Sequence, residues 1–329
     1  MKKTQFHLTL IVPALCAAAW GGAAPDAAAQ SAFPSKNVQL IVPYTAGGSI
    51  DLMSRVFAQR LGEAWGRNVI VENRPGASGM IGTELVTKAE ADGHTLLGHT
   101  SSYPATASVR AKLPFDPARA IVPVGMFAKA PMLMAIHPSV PAKSVKELIA
   151  LAKKRPGELN YGSSGAGGNN HFSGSLFAVA AGVKMTHVPY KGISHAVTAL
   201  VSGEVQVVIA SAAALMPQVK AGRLRALGVT SLEPSPLIPG LPPIAQSGAP
   251  GYSYELWWGM FAPAGLPADR LNTINAAVNK ILATAEMKKF LDEQGAQPWP
   301  LSTAQLDGLL VKEIDRYKKA AQVAGIPPQ

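Results

Sequence analysis

The sequence predicts an α/β protein of two lobes, each a sheet flanked by helices, and three observations predict it. Two glycine-rich segments, Y-T-A-G-G-S-I-D from Tyr44 to Asp51 and Y-G-S-S-G-A-G-G-N-N-H from Tyr161 to His171, each end an apolar strand and open a helix. Strand and helix periodicities alternate on both sides of the long apolar stretch from Val122 to Ile136, as in repeated βα units. Beyond the proline-rich stretch from Pro234 to Pro250 a further strand and helices follow, so the chain is expected to return and complete the first lobe. The boundaries read from this pattern are 33–133 plus 240–329 for the first lobe and 134–239 for the second.

The chain opens on Lys2 and Lys3, an apolar run from Leu8 to Trp20 and the small residues Ala27-Ala28-Ala29. That is the pattern of an export signal, with residues 1–29 removed near Ala29. No later apolar stretch reaches the roughly 18 residues a membrane-spanning helix needs, so the mature chain is expected to be soluble in the periplasm. Cys16, the single cysteine, follows Leu15 rather than a small residue, which argues against a lipid anchor. Removing residues 1–29 takes away Lys2, Lys3 and Asp26 and moves the formal charge from +10 to +9. A positive balance steers small anions. The basic residues are scattered and no aromatic-interleaved basic stripe is present, so nucleic acid is not an expected partner.

In the first lobe, residues 37–43 read as a buried parallel strand, followed by the first glycine segment and a helix through Leu52, Val56, Phe57 and Leu61. Residues 68–72 read as a strand, 79–89 as a helix, 95–98 as a strand and 104–111 as a short helix. In the second lobe Ser144 and Glu147 form a capping-box start for a helix over 145–154, stopped by Pro156-Gly157. Strands are expected at 159–161, 186–189, 205–210 and 224–229, with helices at 170–181, 194–201 and 213–220 between them. After the proline-rich connection come a strand at 254–261 and a helix carrying Leu271, Ile274, Val278 and Ile281 on one face. Ser302 with Gln305 is expected to open a final amphipathic helix.

The glycine segments carry the chemistry. Glycine lets the backbone approach a ligand closely, and a helix start offers unpaired N–H groups and a positive dipole end. Two such cradles, far apart in sequence, suggest one anion held between two lobes. Enzyme motifs fit poorly: G-x-S-x-G fails because Ala166 stands fifth from Gly162, and G-x-G-x-x-G fails because Asn170 follows Gly165 and Gly167. No H-E-x-x-H, cysteine pair or EF-hand loop is present, and no metal or cofactor is expected. His94 and His99 flank a strand on opposite faces, which does not suit a metal site, and His187 and His195 read as structural. Trp257 and Trp258, on the returning strand, read as core by default.

Taken in order, V-P-Y-T-A-G-G-S-I-D, V-I-V-E-N-R-P-G-A-S-G, D-G-H-T-L-L, Y-G-S-S-G-A-G-G-N-N-H, V-P-Y-K-G and W-W-G-M-F-A-P-A-G-L-P resemble the Bug family. These are the periplasmic substrate-binding receptors of tripartite tricarboxylate transporters, and the match runs from about Phe33 to the C-terminus. The resemblance implies a Venus-flytrap receptor of the type II periplasmic-binding-protein kind, a monomer that is not an enzyme. It would capture a small carboxylate in the interlobe cleft and deliver it to membrane transporter subunits. A role as the ligand-dependent partner of a membrane sensor would use the same cleft.

By resemblance, the ligand would meet Tyr44, Ala46, Gly47 and Gly48 in the first segment and Ser163, Ser164, Gly165, Ala166, Gly167 and His171 in the second. Ser49 and Asp51 would support the first helix start, since a carboxylate there repels an anionic ligand but favours the dipole. Thr100, Ser101 and Ser102 follow the third strand, where α/β sheets place clefts, and Tyr190 and Lys191 stand at a comparable strand end. The chain departs from the family at Gly168, Asn169 and Asn170, whose amides replace small hydroxyl residues. It also has Ala210 and Ser211 where the family often carries an acidic residue suited to an amino group. A dicarboxylate, hydroxy acid or aromatic acid is therefore favoured over an amino acid.

Overall fold

A computed structural model describes residues 1, 2, 4, 5 and 33–328. The expected signal segment, its cleavage site and Cys16 lie outside the described residues, and the fold that follows is that of the unit beginning at Phe33. In chain order its elements are β1 (Val38–Val42), α1 (Ser49–Trp65), β2 (Val69–Asn73), α2 (Met80–Thr87), β3 (Thr95–Thr100), α3 (Ser102–Val109) and β4 (Ile121–Ile136). They continue with α4 (Val145–Lys154), β5 (Asn160–Ser163), α5 (Asn169–Ala181), β6 (Thr186–Pro189), α6 (Ile193–Ser202), β7 (Val207–Ser211), α7 (Ala212–Lys220) and β8 (Arg225–Val229). The last are β9 (Glu255–Pro263), α8 (Ala268–Leu282), α9 (Ala285–Glu293), β10 (Gln297–Pro298), α10 (Thr303–Leu306) and α11 (Leu309–Ala324).

The strands form one sheet in the order β2-β1-β3-β9-β4-β7-β5-β6, with β8 and β10 also paired to β4. At one end β1 lies parallel between β2 and β3, and at the other β5 lies parallel between β6 and β7. Burial on both faces explains why β1 and β7 read as near-continuous apolar runs. The long apolar stretch is a single strand that serves both halves. From Ile121 to Pro131 it pairs with β9, and from Met132 to Ile136 it pairs with β7.

Thr230 stitches this crossing. Its hydroxyl accepts the Met132 N–H at 2.7 Å and donates to the Tyr254 carbonyl at 2.6 Å, while its own N–H donates to the Met132 carbonyl at 2.9 Å. The side chain is fully buried, so one hydroxyl ties the outgoing and returning chain at the same level. The proline-rich connection does not leave the second half at once. Val229 donates to the Pro242 carbonyl, Ile244 donates back to Val229, and Ile244 is fully buried.

The capping rules place most helices, with one correction. Ser144 caps α4 by accepting the Glu147 N–H at 3.2 Å, and α1 and α5 end on the left-handed glycines Gly66 and Gly182. Ser302 and Gln305 do form a capping box, but it opens only the single turn α10. The chain then breaks at Asp307-Gly308, where Gly308 takes φ +67°, and α11 starts afresh. Helix α9, capped by Thr284, has no counterpart in the periodicity reading above. Helix α11 seats Tyr317 against Phe172 of α5, with ring centroids 5.1 Å apart, and so braces the second glycine segment's helix.

Candidate functional site

The two glycine segments fold to the same backbone. Gly47 and Gly167 take φ +84° and +73°, conformations that favour glycine. Gly48 and Gly168 follow as extended N-caps, with φ −82° and ψ 166° in the first and φ −83° and ψ 172° in the second. In each, the side chain four residues on ties back to the first glycine. The Gly47 N–H donates to Asp51 Oδ2 at 3.0 Å, and the Gly167 N–H donates to His171 Nδ1 at 3.0 Å.

The two tying residues are stabilised differently. Asp51 is buried, which raises its pKa, but hydrogen bonds from Arg55, Gly47 and Asn73 outweigh burial and hold the carboxyl below its usual range. His171 stacks on His187 with ring centroids 3.8 Å apart and planes 11° apart. Burial pushes its pKa down to about 4, and burial together with His171 pushes His187 down to about 3. Both rings are therefore neutral at pH 7, and His187 Nε2 lies 2.6 Å from Ser163 Oγ.

Between the segments is a narrow cavity of about 50 Å³. Five helices begin on its wall: α1 at Ser49, α3 at Ser102, α5 at Asn169, α6 at Ile193 and α7 just after Ser211. Each presents the positive end of its dipole, and the leading N–H groups of α3 and α5, at Ser102 and Asn169, are taken up by Thr100 Oγ1 and Ser102 Oγ. The side chains on this wall carry no formal charge.

Several hydroxyls on the wall accept hydrogen bonds from within the protein. Ser49 Oγ accepts from Trp258 Nε1 at 3.0 Å, Ser102 Oγ accepts the Asn169 N–H at 3.2 Å, and Thr100 Oγ1 accepts from the Ser102 N–H and from Asn169 Nδ2. Thr100 Oγ1, which accepts two, keeps only its proton for the cavity, whereas Ser49 and Ser102 each accept one and keep a lone pair, and Ser164 and Tyr44 spend their protons on Asn170 Oδ1 and the Ser78 carbonyl. The two amide oxygens are already occupied: Asn169 Oδ1 by the Tyr254 hydroxyl at 3.1 Å and Asn170 Oδ1 by the Ser164 hydroxyl at 2.8 Å. The wall combines helix N-termini with hydroxyls and carries no anionic side chain, which suits an anion. Ile50, Met132, Ile193, Ala210 and Leu256 supply an apolar surface beside it.

Of the residues singled out in the sequence, Tyr44, Gly48, Ser49, Thr100, Ser102, Ser164, Asn169, Asn170, Ala210 and Ser211 line this cavity. Others named with them do not. Gly47 and Gly167 spend their N–H groups on Asp51 and His171, so those four residues shape the cradles from behind. Ser101 is fully buried against Trp257, and Ser163 is bonded to His187 and to the Gly165 carbonyl. Ala46 lies outside the lining, and Gly165 and Ala166 face Ser78 instead. Tyr190 turns to Glu204 at 2.8 Å, and Lys191 is exposed. Trp257 and Trp258 are both buried, and Trp258 reaches the site indirectly through Ser49.

The cavity also contains Thr45, Ile50, Met132, Ile193, Ser194 and Leu256, which sequence reasoning missed. A signal existed for Ile193 and Ser194, because Gly192 precedes a helix just as Gly48 and Gly168 do. Met132 and Leu256 stand where β4 and β9 cross between halves. As apolar strand residues they carry no local mark of a site.

A two-halved α/β sheet with a donor-lined cavity between its halves defines the class of two-lobed periplasmic binding proteins, to which the solved neighbours of this fold belong. More narrowly, the chain belongs to the tripartite tricarboxylate transporter receptor family, whose profile matches residues 53–326. It is 33% identical over 307 residues to Protein BugT of Bordetella pertussis, covering 93% of this chain and 94% of that one. Among solved structures it resembles Rpa4515 of R. palustris with adipate, at TM-score 0.87 and 36% identity over 90% of this chain and all of the other. It also resembles MatC of Rhodopseudomonas palustris with bound malate, at TM-score 0.82 and 27% identity over 88% of this chain and 99% of the other. The family consists of substrate-binding receptors and not enzymes. Among the described residues no helix is long and apolar enough to cross a membrane.

Proposed function

We propose that this protein is a monomeric periplasmic receptor that captures a small carboxylate lacking an amino group and delivers it to the membrane subunits of a tripartite tricarboxylate transporter. The observation that carries the reading is the cavity wall itself, with five helix N-termini, the Thr100 hydroxyl left only its proton, and no charged side chain. A carboxylate satisfies such a wall. An ammonium group finds no anionic side chain there, and Ala210 stands where an acidic residue would serve it. Related proteins solved with adipate and malate support the same ligand class.

In this reading Ser49, Thr100, Ser102 and Ser211 donate to the carboxylate together with the first N–H groups of α1. Tyr44, Ile50, Met132, Ile193 and Leu256 pack the apolar body. The two halves act as the lobes 33–133 plus 240–329 and 134–239, with the crossing at Met132 and Thr230 as the hinge. Pairing of Pro242 and Ile244 with Val229 supports moving the return to the first lobe toward Tyr254. Residues 1–29 are the cleaved export signal. Delivery follows from the family.

Thermal shift against a panel of acids tests the proposal. A ligand at 100 times its dissociation constant stabilises the fold by about 2.7 kcal/mol, a shift of several degrees at most for a chain of this size. Adipate, malate, succinate and benzoate form one arm, and esters and amides of the same acids form the other. Stabilisation confined to free acids supports the reading, whereas turnover of the esters without stabilisation by any acid would sink it.

A further inference from the structure

The segment that joins β2 to α2 holds the two non-glycine residues with left-handed backbone among those described, Ala77 at φ +47° and Ser78 at φ +55°, ψ +35°. Side-chained residues avoid this region, and such strain persists only where the surroundings enforce it. Three contacts enforce it here. The Tyr44 hydroxyl donates to the Ser78 carbonyl at 3.1 Å, Ser78 Oγ donates to the Ala166 carbonyl at 3.0 Å, and Gly165 leaves room for that hydroxyl. A Cβ on Gly165 would stand 2.4 Å from Ser78 Oγ.

The Ser78 to Ala166 bond runs from the first half of the molecule to the second, and it has a neighbour. Thr106 Oγ1 donates to the Gly167 carbonyl at 3.2 Å, so two successive carbonyls of the second glycine segment accept hydroxyls from the first half. Ser78 itself does not line the cavity, but Tyr44 does. The path from ligand to latch is therefore one side chain long.

We propose that Ser78 is a closure latch, a positioning residue that holds the two lobes together over the cavity and sets how long a ligand stays. The proposal rests on the two-lobed capture reading above. Closure strains Ser78 and is compensated by the bond to Ala166; opening breaks that bond and frees the Tyr44 hydroxyl. A ligand that packs on Tyr44 favours the closed arrangement, and contacts made only in one state shift the population toward it.

The test needs no ligand. In the full chain with Cys16→Ala, spin labels at Lys88→Cys on the first half and Lys184→Cys on the second, both exposed, report the interlobe distance. Ser78→Ala is expected to cut the ratio of closed to open molecules about fivefold, the weight of one neutral hydrogen bond. Ser78→Gly should open the protein less than Ser78→Ala and keep or raise its melting temperature, because glycine accepts the left-handed backbone that closure imposes. Gly165→Ala should open it further, and combining it with Ser78→Gly should recover part of that loss. A distance distribution of Ser78→Ala that superimposes on the parent would overturn the latch. Failure of every acid to bind would count against the carboxylate reading instead, and would leave the distance shift standing.

Discussion

The two glycine segments share one backbone and differ in what fixes it. The first is tied by Asp51, whose charge is matched by the guanidinium of Arg55 at 3.0 Å and by Asn73 at 2.9 Å. Arg55 is half exposed, so the ion pair sits where its cationic head still meets water. The second is tied by His171, neutral and stacked on His187 beneath helix α5. Both solutions keep net charge off the cavity wall. The difference teaches that the cradle is a backbone device, and that the anchoring side chain follows from what its surroundings can stabilise.

Five substitutions, two of them read as pH profiles, put this difference to the test. The largest effect is expected at the second cradle. A Cβ on Gly167 would lie 2.7 Å from a Val109 methyl, in addition to its left-handed strain, whereas a Cβ on Gly47 would meet nothing within 4 Å. Gly167→Ala should cost about 3 kcal/mol of unfolding free energy and Gly47→Ala about 1 kcal/mol, measured by urea denaturation. Equal costs would mean the two turns are not equally exacting in the way the contacts imply.

The next effect separates the anchors by pH. The folded pKa of His171, about 4, lies below the unfolded value of about 6.5, so the unfolded chain takes up the proton first. Its contribution to stability is complete above pH 6.5 and is lost as pH falls toward 4, about 2 kcal/mol of it between pH 7 and 5. Asp51 is likewise held below its unfolded value, near 3.9, but its contribution is lost only below that pH. His171→Asn should therefore flatten part of the stability profile between pH 7 and 5, and Asp51→Asn should lower the whole profile there without changing its slope. A slope altered by Asp51→Asn in that window would reverse the assignment.

A smaller effect is expected on the wall itself. Ala210→Asp places a carboxyl beside the ligand and should weaken a plain carboxylate at least about tenfold by calorimetry, through like-charge repulsion. Tighter binding of that acid would remove Ala210 from the ligand's neighbourhood.

Much of this architecture was legible because its signals are local. A strand, a glycine pair and a helix start fall within ten residues at Tyr44 and again at Tyr161, and the backbone they specify differs little between the two. The roles inside each segment were less legible, because Gly47 and Gly167 look like ligand donors until the hydrogen bonds to Asp51 and His171 are seen. Met132 and Leu256 reach the cavity through the strand crossing, which depends on pairings more than a hundred residues apart. Tyr190 and Lys191 were read as the marks of a third strand end, but the adjacent Gly192 and the helix start at Ile193 and Ser194 supply the wall. The C-terminal capping box at Ser302 was a true helix signal, yet a cap says where a helix begins and not how far it runs. Gly308 ends it after one turn.

The cavity wall offers a carboxylate uncharged donors and holds no anionic side chain to meet an ammonium group. Matched acids test it most directly: succinate against aspartate, and adipate against 2-aminoadipate, each titrated calorimetrically at pH 7. The account predicts that the plain acid of whichever pair binds does so at least about tenfold more tightly than its amino counterpart, the cost of one buried, unsatisfied charged group being no less than that. Tighter binding of the amino acid in either pair would contradict it.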